Sequence, residues 1–260
     1  MSSAAKWFAA ALAGSICMAP TVAAAQPLAA GAQAVREPGA MTALQEMSRY
    51  LASLKSFAIE SETTFEEVLT DGQKLQYEGT LEIAARPPSG LKINETSDRA
   101  AREYFYNGRE LTILAPRIGF YATVPAPASI GEMLRTAVEQ HGLEIPLADL
   151  FTFAADPAMI ERIQSGFLVG TEEIDGDMCD HYAFRQQNVD WQIWIRQGDQ
   201  PLPRKLVITT TSDEARPDYE ARLSWKTDAA LADGLFTYNA PPGAWRIPLM
   251  SLDPQGSGGK

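Results

Sequence analysis

Val189-Asp190-Trp191-Gln192-Ile193-Trp194-Ile195-Arg196, followed by Leu202-Pro203-Arg204-Lys205-Leu206-Val207-Ile208-Thr209, is the stretch that decides the fold class. Successive side chains of a strand point to opposite faces. Val189, Trp191, Ile193 and Ile195 therefore share an apolar face, and Asp190, Gln192, Trp194 and Arg196 a mostly wet one. Gln197-Gly198-Asp199-Gln200-Pro201 is a turn, and the prolines after it fall at a strand start, where a missing N–H costs little. The pair reads as a meander hairpin whose oily side the rest of the chain has to cover.

Outward from the hairpin the same grammar repeats. Phe167 to Ile174 and Met178 to Arg185, joined by Asp175-Gly176, precede it, and Tyr219 to Lys226 follows it. Nearer the N-terminus, Phe57 to Leu69 turns at Asp71-Gly72 into a strand with Leu75, Tyr77, Gly79, Leu81 and Ile83 on one face. Lys74, Gln76, Glu78, Thr80 and Glu82 lie on the other, as a sheet with one solvated side requires. Gly79 within that strand signals strong curvature or a bulge. Strands are further expected at Leu91 to Thr96, Arg102 to Tyr106, Arg109 to Leu114 and Phe120 to Val124. Asn107-Gly108 fits a type I′ turn, with positive φ at both residues.

Only two regions carry helical spacing. Leu44, Met47, Tyr50, Leu51 and Leu54 predict an amphipathic helix with Thr42 as N-cap. In mid-chain, Ser129-Ile130-Gly131-Glu132 has capping-box spacing and opens a helix with the stripe Ile130, Met133, Leu134, Ala137 and Val138. Pro146 and then Asp156-Pro157 open two shorter helical stretches. The fold class is therefore α+β: a strongly curved antiparallel β-sheet of about eleven strands, an unclosed half-barrel, with helices covering its concave face.

The chain has 260 residues, of which 45% are hydrophobic and 21% charged, enough for a substantial core. Lys6, the apolar run Trp7 to Met18 and Ala23-Ala24-Ala25 predict a secretory signal peptide over residues 1–25, too short to span a bilayer. Cys17 invites a lipoprotein reading, but the preceding Gly14-Ser15-Ile16 puts a bulky residue where a small one is expected and lacks the usual leucine. Residues 26–40 read as a flexible leader, 41–245 as the folded domain and 246–260 as a disordered tail. Removal of Lys6 takes the net charge from -11 to -12. An acidic surface of this kind disfavours nucleic acid and electrostatic docking to membranes. Cys179 is then the lone thiol, so no internal disulfide is expected.

Two blocks carry a family resemblance. They are Gly72-Gln73-Lys74-Leu75-Gln76-Tyr77-Glu78-Gly79-Thr80-Leu81-Glu82 with Arg86-Pro87-Pro88, and the opening hairpin from Val189 to Thr209. Together they resemble a family of predicted bacterial periplasmic proteins with a domain of unknown function, itself similar in fold to the outer-membrane lipoprotein carriers LolA and LolB. The resemblance covers roughly Phe57 to Gly243. It implies a periplasmic, non-catalytic protein holding an apolar ligand, such as a lipid or the acyl chains of a lipoprotein, under a helical lid. None of the carriers' functional residues transfers onto a motif in this chain.

Catalytic, metal-binding and cofactor signatures are not found in the sequence. Two histidines, His141 and His181, cannot build a multi-histidine metal site. Cys179 and His181 share a strand face, which permits a thiolate–imidazole pair, but a core thiol beside a surface histidine is the simpler arrangement. Asp175, Asp177 and Asp180 crowd one turn without the EF-hand ligand order. What remains is the hollow of the sheet. Leu75, Tyr77, Leu81, Ile83, Trp191 and Ile193 from strands, with Met133, Leu134, Val138, Leu150 and Phe151 from helices, are the candidate residues of a hydrophobic cavity. If the helices fill the hollow these residues are ordinary core; if a gap remains, it suits an acyl-chain ligand. An envelope protein-protein interaction or sensor module on the same fold is the alternative.

Overall fold

The computed structural model of the protein describes residues 35–143, 145–155 and 157–252, with backbone alone for 152–155 and 157–158. The expected signal peptide and most of the leader lie outside the described residues, as does the end of the tail.

Twelve strands form one sheet: β1 (Phe57–Val68), β2 (Lys74–Arg86), β3 (Gly90–Ser97), β4 (Ala101–Tyr106), β5 (Glu110–Ala115), β6 (Phe120–Pro125), β7 (Ser165–Ile174), β8 (Asp177–Gln186), β9 (Val189–Arg196), β10 (Pro203–Thr210), β11 (Asp218–Thr227) and β12 (Trp245–Arg246). Their spatial order is β12-β6-β5-β4-β3-β2-β1-β11-β10-β9-β8-β7, so β1 is central and the end strands do not pair with each other. Among these twelve strands all pairings are antiparallel except the short parallel β12–β6 contact. This is the strongly curved, unclosed sheet the strand pattern predicts.

The order dictates what the helices do. Strands β1 to β6 meander out to one edge, whereas β7 starts at the other edge and β8 to β11 meander back to β1. The connection from β6 to β7 must therefore traverse the sheet. It consists of α2 (Ile130–His141), α3 (Ala148–Ala155) and a 3-10 helix (Pro157–Arg162). Together with α1 (Pro38–Ser53) these bury their apolar sides against the inner sheet face. One core joins Leu44, Met47 and Leu51 of α1, Met133 and Leu134 of α2, and Ile59, Ile83, Ile93 and Ile193 of the sheet. Burying each such side chain contributes about 1.5–3 kcal/mol.

Ser129 caps α2 as its spacing requires: its Oγ accepts from the Glu132 N–H at 3.3 Å and donates to the Glu132 carboxylate at 2.9 Å. Gly142, at φ 62°, ends the helix in the left-handed conformation.

Several local expectations are corrected. Helix α1 begins at Pro38, not at Thr42, because proline suits the first helical turn and the preceding segment is fixed: Glu37 N–H donates to Gly166 O, and Gly166 N–H to Val35 O, along the edge of β7. The Asn107-Gly108 turn has positive φ only at Gly108. The Asn107 carboxamide oxygen accepts from the N–H groups of Arg109 and Glu110 instead. Gly79 sits in an unbroken register; the irregularities fall in β7 at Leu168/Gly170 and in β10 at Pro203/Lys205. The segment after Arg246 folds back on the chain as far as it is described. Ile247 N–H donates to Tyr121 O, and Leu252 N–H to Gln140 O at the end of α2.

Candidate binding site

Where α3 crosses the sheet, the packing leaves two apolar hollows. The first, about 210 Å³, lies between Leu51 of α1, Phe57 of β1, Trp225 of β11, Ile130 of α2, and Leu150 and Phe151 of α3. Pro87 and Pro88, in the β2–β3 turn, form part of its rim. The second, about 170 Å³, shares Leu150 with the first and is lined by Trp191 and Ile193 of β9, Leu206 and Ile208 of β10, and Met47 of α1. Leu150 belongs to both walls. The backbone turns into α3 through Leu147 at φ 56°, and Leu150 N–H donates to Leu147 O at 3.1 Å.

A wider groove of about 680 Å³ runs between α2 and the α3/3-10 segment. It carries Glu132, Arg135, Glu139, Asp149 and Arg162, so both signs of charge line it. Ser129 and Gly131 line this groove and the first hollow; Asp149 and Met159 line it and the second. Asp149 is open to the groove yet ringed by protein, and that partial dehydration raises its carboxyl pKa.

The eleven candidate residues divide accordingly. Leu150, Phe151, Trp191 and Ile193 line the hollows. Leu134 and Val138 line the groove, Val138 with half its surface exposed. Leu81, Ile83 and Met133 are buried in the core without reaching either hollow. Leu75 and Tyr77 stand apart at the far end of the β1–β2 hairpin, half-buried, with Tyr77 packed on Phe65 at 5.5 Å and under Arg99.

Leu51, from the predicted first helix, and Phe57, Leu206, Ile208 and Trp225, all within predicted strands, also line the hollows, but none was among the eleven candidates. Alternation in β1 and β11 would have placed Phe57 and Trp225 inward, but nothing local says that these two, 5.4 Å apart between ring centroids, meet under α3.

Several polar groups are buried away from the two hollows. Glu95, on the inward face of β3, departs from the rule that strand carboxylates point outward: burial raises its pKa, while Arg102 lies 3.8 Å away. Burial also pushes the Tyr104 hydroxyl beside it to about 12. Trp194 is buried although it faces outward. His181 stacks on it at 3.9 Å, Lys205 sits over its ring, and its indole N–H donates to Glu172. Cys179 packs there with Trp194 and Ile174 in a small cluster on the outer face, and burial pushes its thiol up to about 11. A nucleophilic cysteine needs the opposite shift. Among the described residues, no group of three or more His, Cys, Asp or Glu is placed to hold a metal ion, and no helix is long and apolar enough to cross a membrane.

No curated protein is significantly similar to the chain in sequence. Among solved structures, LprF from Mycobacterium bovis is 14% identical, with a TM-score of 0.47 over 80% of this chain and 100% of that one. The lipoprotein LppX from Mycobacterium tuberculosis is 12% identical, with a TM-score of 0.47 over 75% and 98%. A LolA superfamily protein from Nitrosomonas europaea is 12% identical, with a TM-score of 0.32 over 76% and 97%. Residues 40–250 match the family model described as predicted periplasmic protein (DUF2092), which spans most of the chain and all of the sheet, and the chain belongs to that family.

Proposed function

We propose that the protein is a non-catalytic periplasmic binding protein that holds an apolar ligand, an acyl chain of a lipid or of a lipoprotein anchor, in the half-barrel with α2 and α3 as its lid. The observation that carries this reading is the first hollow: a cavity of about 210 Å³ walled by Leu51, Phe57, Ile130, Phe151 and Trp225 that ordinary core packing would have closed. An acyl chain needs no reactive group to be held there, since each buried methylene contributes about 0.8 kcal/mol.

The test is a hydrophobic fluorescent probe, a single-chain fluorescent fatty acid, titrated into the wild type and Ala52→Trp. Ala52 lies exposed at the cavity wall, so an indole there obstructs the hollow without entering the core. Saturable enhancement in the wild type, weakened in the variant with unchanged unfolding, supports the reading; a probe-silent wild type that also releases no lipid on solvent extraction overturns it. The exposed run Phe167, Leu168 and Val169 on edge strand β7 favours the second reading, contact with another envelope protein. Capture of a defined envelope partner by lipid-free protein, lost on Leu168→Asp, would select it.

A further inference from the structure

The two ends of α2 are held in different ways. Its start is built into the sheet: Ile130 is buried, its N–H donates to Pro88 O at 2.7 Å, and the Tyr106 hydroxyl donates to Pro127 O at 2.5 Å. The buried stripe of the helix then runs through Met133 and Leu134 and stops at Ala137. Val138, Glu139 and Gln140 are exposed, and this last turn is tied down by the segment that follows β12. Leu252 N–H donates to Gln140 O at 2.6 Å, and Met250 O lies 3.1 Å from His141 Nδ1. The Leu252 side chain packs on Gly142, 3.2 Å from where a Cβ would stand.

The same segment is anchored to the sheet edge at its other end. Trp245 N–H donates to Gly119 O, Ile247 N–H to Tyr121 O, and the Arg246 guanidinium to Thr123 O. Residues 245–252 are therefore a strap that joins edge strand β6 to the end of α2. The strap buries little: Trp245 is 69% exposed, Met250 83% and Leu252 59%. Its hold on α2 consists of hydrogen bonds close to water, each of small net worth because solvent replaces it on release. A segment held in this way opens locally long before the core does.

We propose that the strap is the latch of the lid: its release from Gln140 and His141 frees the end of α2, which turns about its anchored start and draws α3 off the hollows. This rests on the reading of α2 and α3 as a lid over ligand-binding hollows. α3 follows α2 directly in the chain, and its Leu150 lines both hollows and its Phe151 the first. Among the described residues, the strap contributes none to the lining of either hollow. The latch therefore sets how fast a ligand enters and leaves, and not how tightly it is held, since more frequent opening speeds both directions by the same factor.

The experiment follows a single-chain fluorescent fatty acid by stopped flow, and amide exchange along α2, in the full chain and three variants. Leu252→Pro removes the N–H that reaches Gln140 O, and a chain ending at Arg246 removes the strap beyond β12. Gly142→Cys with Leu252→Cys, in a Cys17→Ser, Cys179→Ala background, locks the latch when oxidised, because Leu252 packs directly on position 142. Its reduced form is the control for a side chain at φ 62°. Both rate constants should rise about tenfold in the first two variants, as loss of one or two net hydrogen bonds gives, with Kd unchanged. Oxidation of the double-cysteine form should slow both rates and reduction restore them. The amides of the last turn of α2 should exchange in the same order, fastest in the truncated chain and slowest in the cross-linked one. Equal rates in the oxidised and reduced forms overturn the latch. So does a variant that weakens Kd without speeding release, which would make the strap part of the site. Failure of every form to take up the probe overturns the ligand-binding reading instead; the latch then stands or falls on amide exchange, and an unchanged last turn of α2 in Leu252→Pro overturns it.

Discussion

Phe151 of α3 lies over Phe57 of β1 with ring centroids 5.8 Å apart and 24° between the planes, and this stack is where the chain crossing the sheet is fastened to its central strand. Phe57 also meets Trp225 at 5.4 Å, so three aromatic rings from α3, β1 and β11 make one wall of the first hollow. The contact that holds the cover down is thus also the contact that shapes the cavity.

Truncating that ring separates the two roles. Phe151→Ala removes a buried aromatic next to an existing void, where the surroundings have little to collapse onto, so it should cost about 3 kcal/mol in urea unfolding. The enlarged hollow should still take up a single-chain fluorescent fatty acid in the fraction that remains folded. Phe151→Leu keeps most of the volume and should cost less than about 1.5 kcal/mol. Equal losses for both variants would mean that the ring stack, not the volume, carries the attachment.

The fold was legible because strands with one wet face write their orientation into the sequence. β9 and β2 needed nothing beyond alternation, and the helical period between Ser129 and Ile163 located the cover. What sequence could not supply was pairing across long separations. Phe57, Phe151 and Trp225 come from three distant segments, and only the order that puts β1 between β2 and β11 brings two of them together. Trp194 misled for a related reason: its outward position was read correctly, but its burial depends on His181 and Lys205 from neighbouring strands. Val138 read as part of the α2 stripe, yet it lies beyond the buried part of the helix and faces the groove.

Gly79 offers a check on the sheet itself. A Cβ built there would lie 2.9 Å from the Thr63 hydroxyl and 2.9 Å from the Thr96 carbonyl oxygen, and that carbonyl is fixed in the adjoining strand. The glycine is required by the close approach of the Thr63 hydroxyl of β1 and the Thr96 carbonyl of β3 to its Cα, not by a bulge. Gly79→Ala should therefore destabilise by about 2 kcal/mol, lowering Tm by several degrees. An unchanged Tm would show that the sheet relaxes freely at this point.

Acid should weaken the ion pairs that tie β8 to β9 beside their turn. Asp190 accepts from Arg185 at 2.6 and 2.8 Å and from Arg216 at 3.1 Å, and the Arg185 hydrogen bonds hold its carboxyl below the usual range. A depressed carboxylate stabilises the fold above its unfolded pKa of about 3.9, and that contribution is lost as pH falls through the folded value. Both arginines are more than half exposed, so screening limits the effect to about 1 kcal/mol. Asp190→Asn should be less stable than wild type at pH 7, and the gap should close as pH falls through the depressed folded-state pKa. A difference that persists in acid would assign the effect to packing.

Cys179 tests whether the outer cluster is chemically idle. Its Sγ is fully buried against Trp194 and Ile174 and donates to the Asp177 carbonyl at 3.5 Å, and with a pKa of about 11 only roughly one thiol in ten thousand is ionised at neutral pH. A thiol reagent should therefore label the native protein only as fast as the cluster opens, and label it at once in denaturant. Cys179→Ala should cost about 1 kcal/mol, the removal of one small buried group, and leave fatty-acid probe binding unchanged, because the hollows lie on the opposite face of β9. Rapid native labelling, or loss of probe binding on this substitution, would instead tie the outer cluster to the cavity through the strand that separates them.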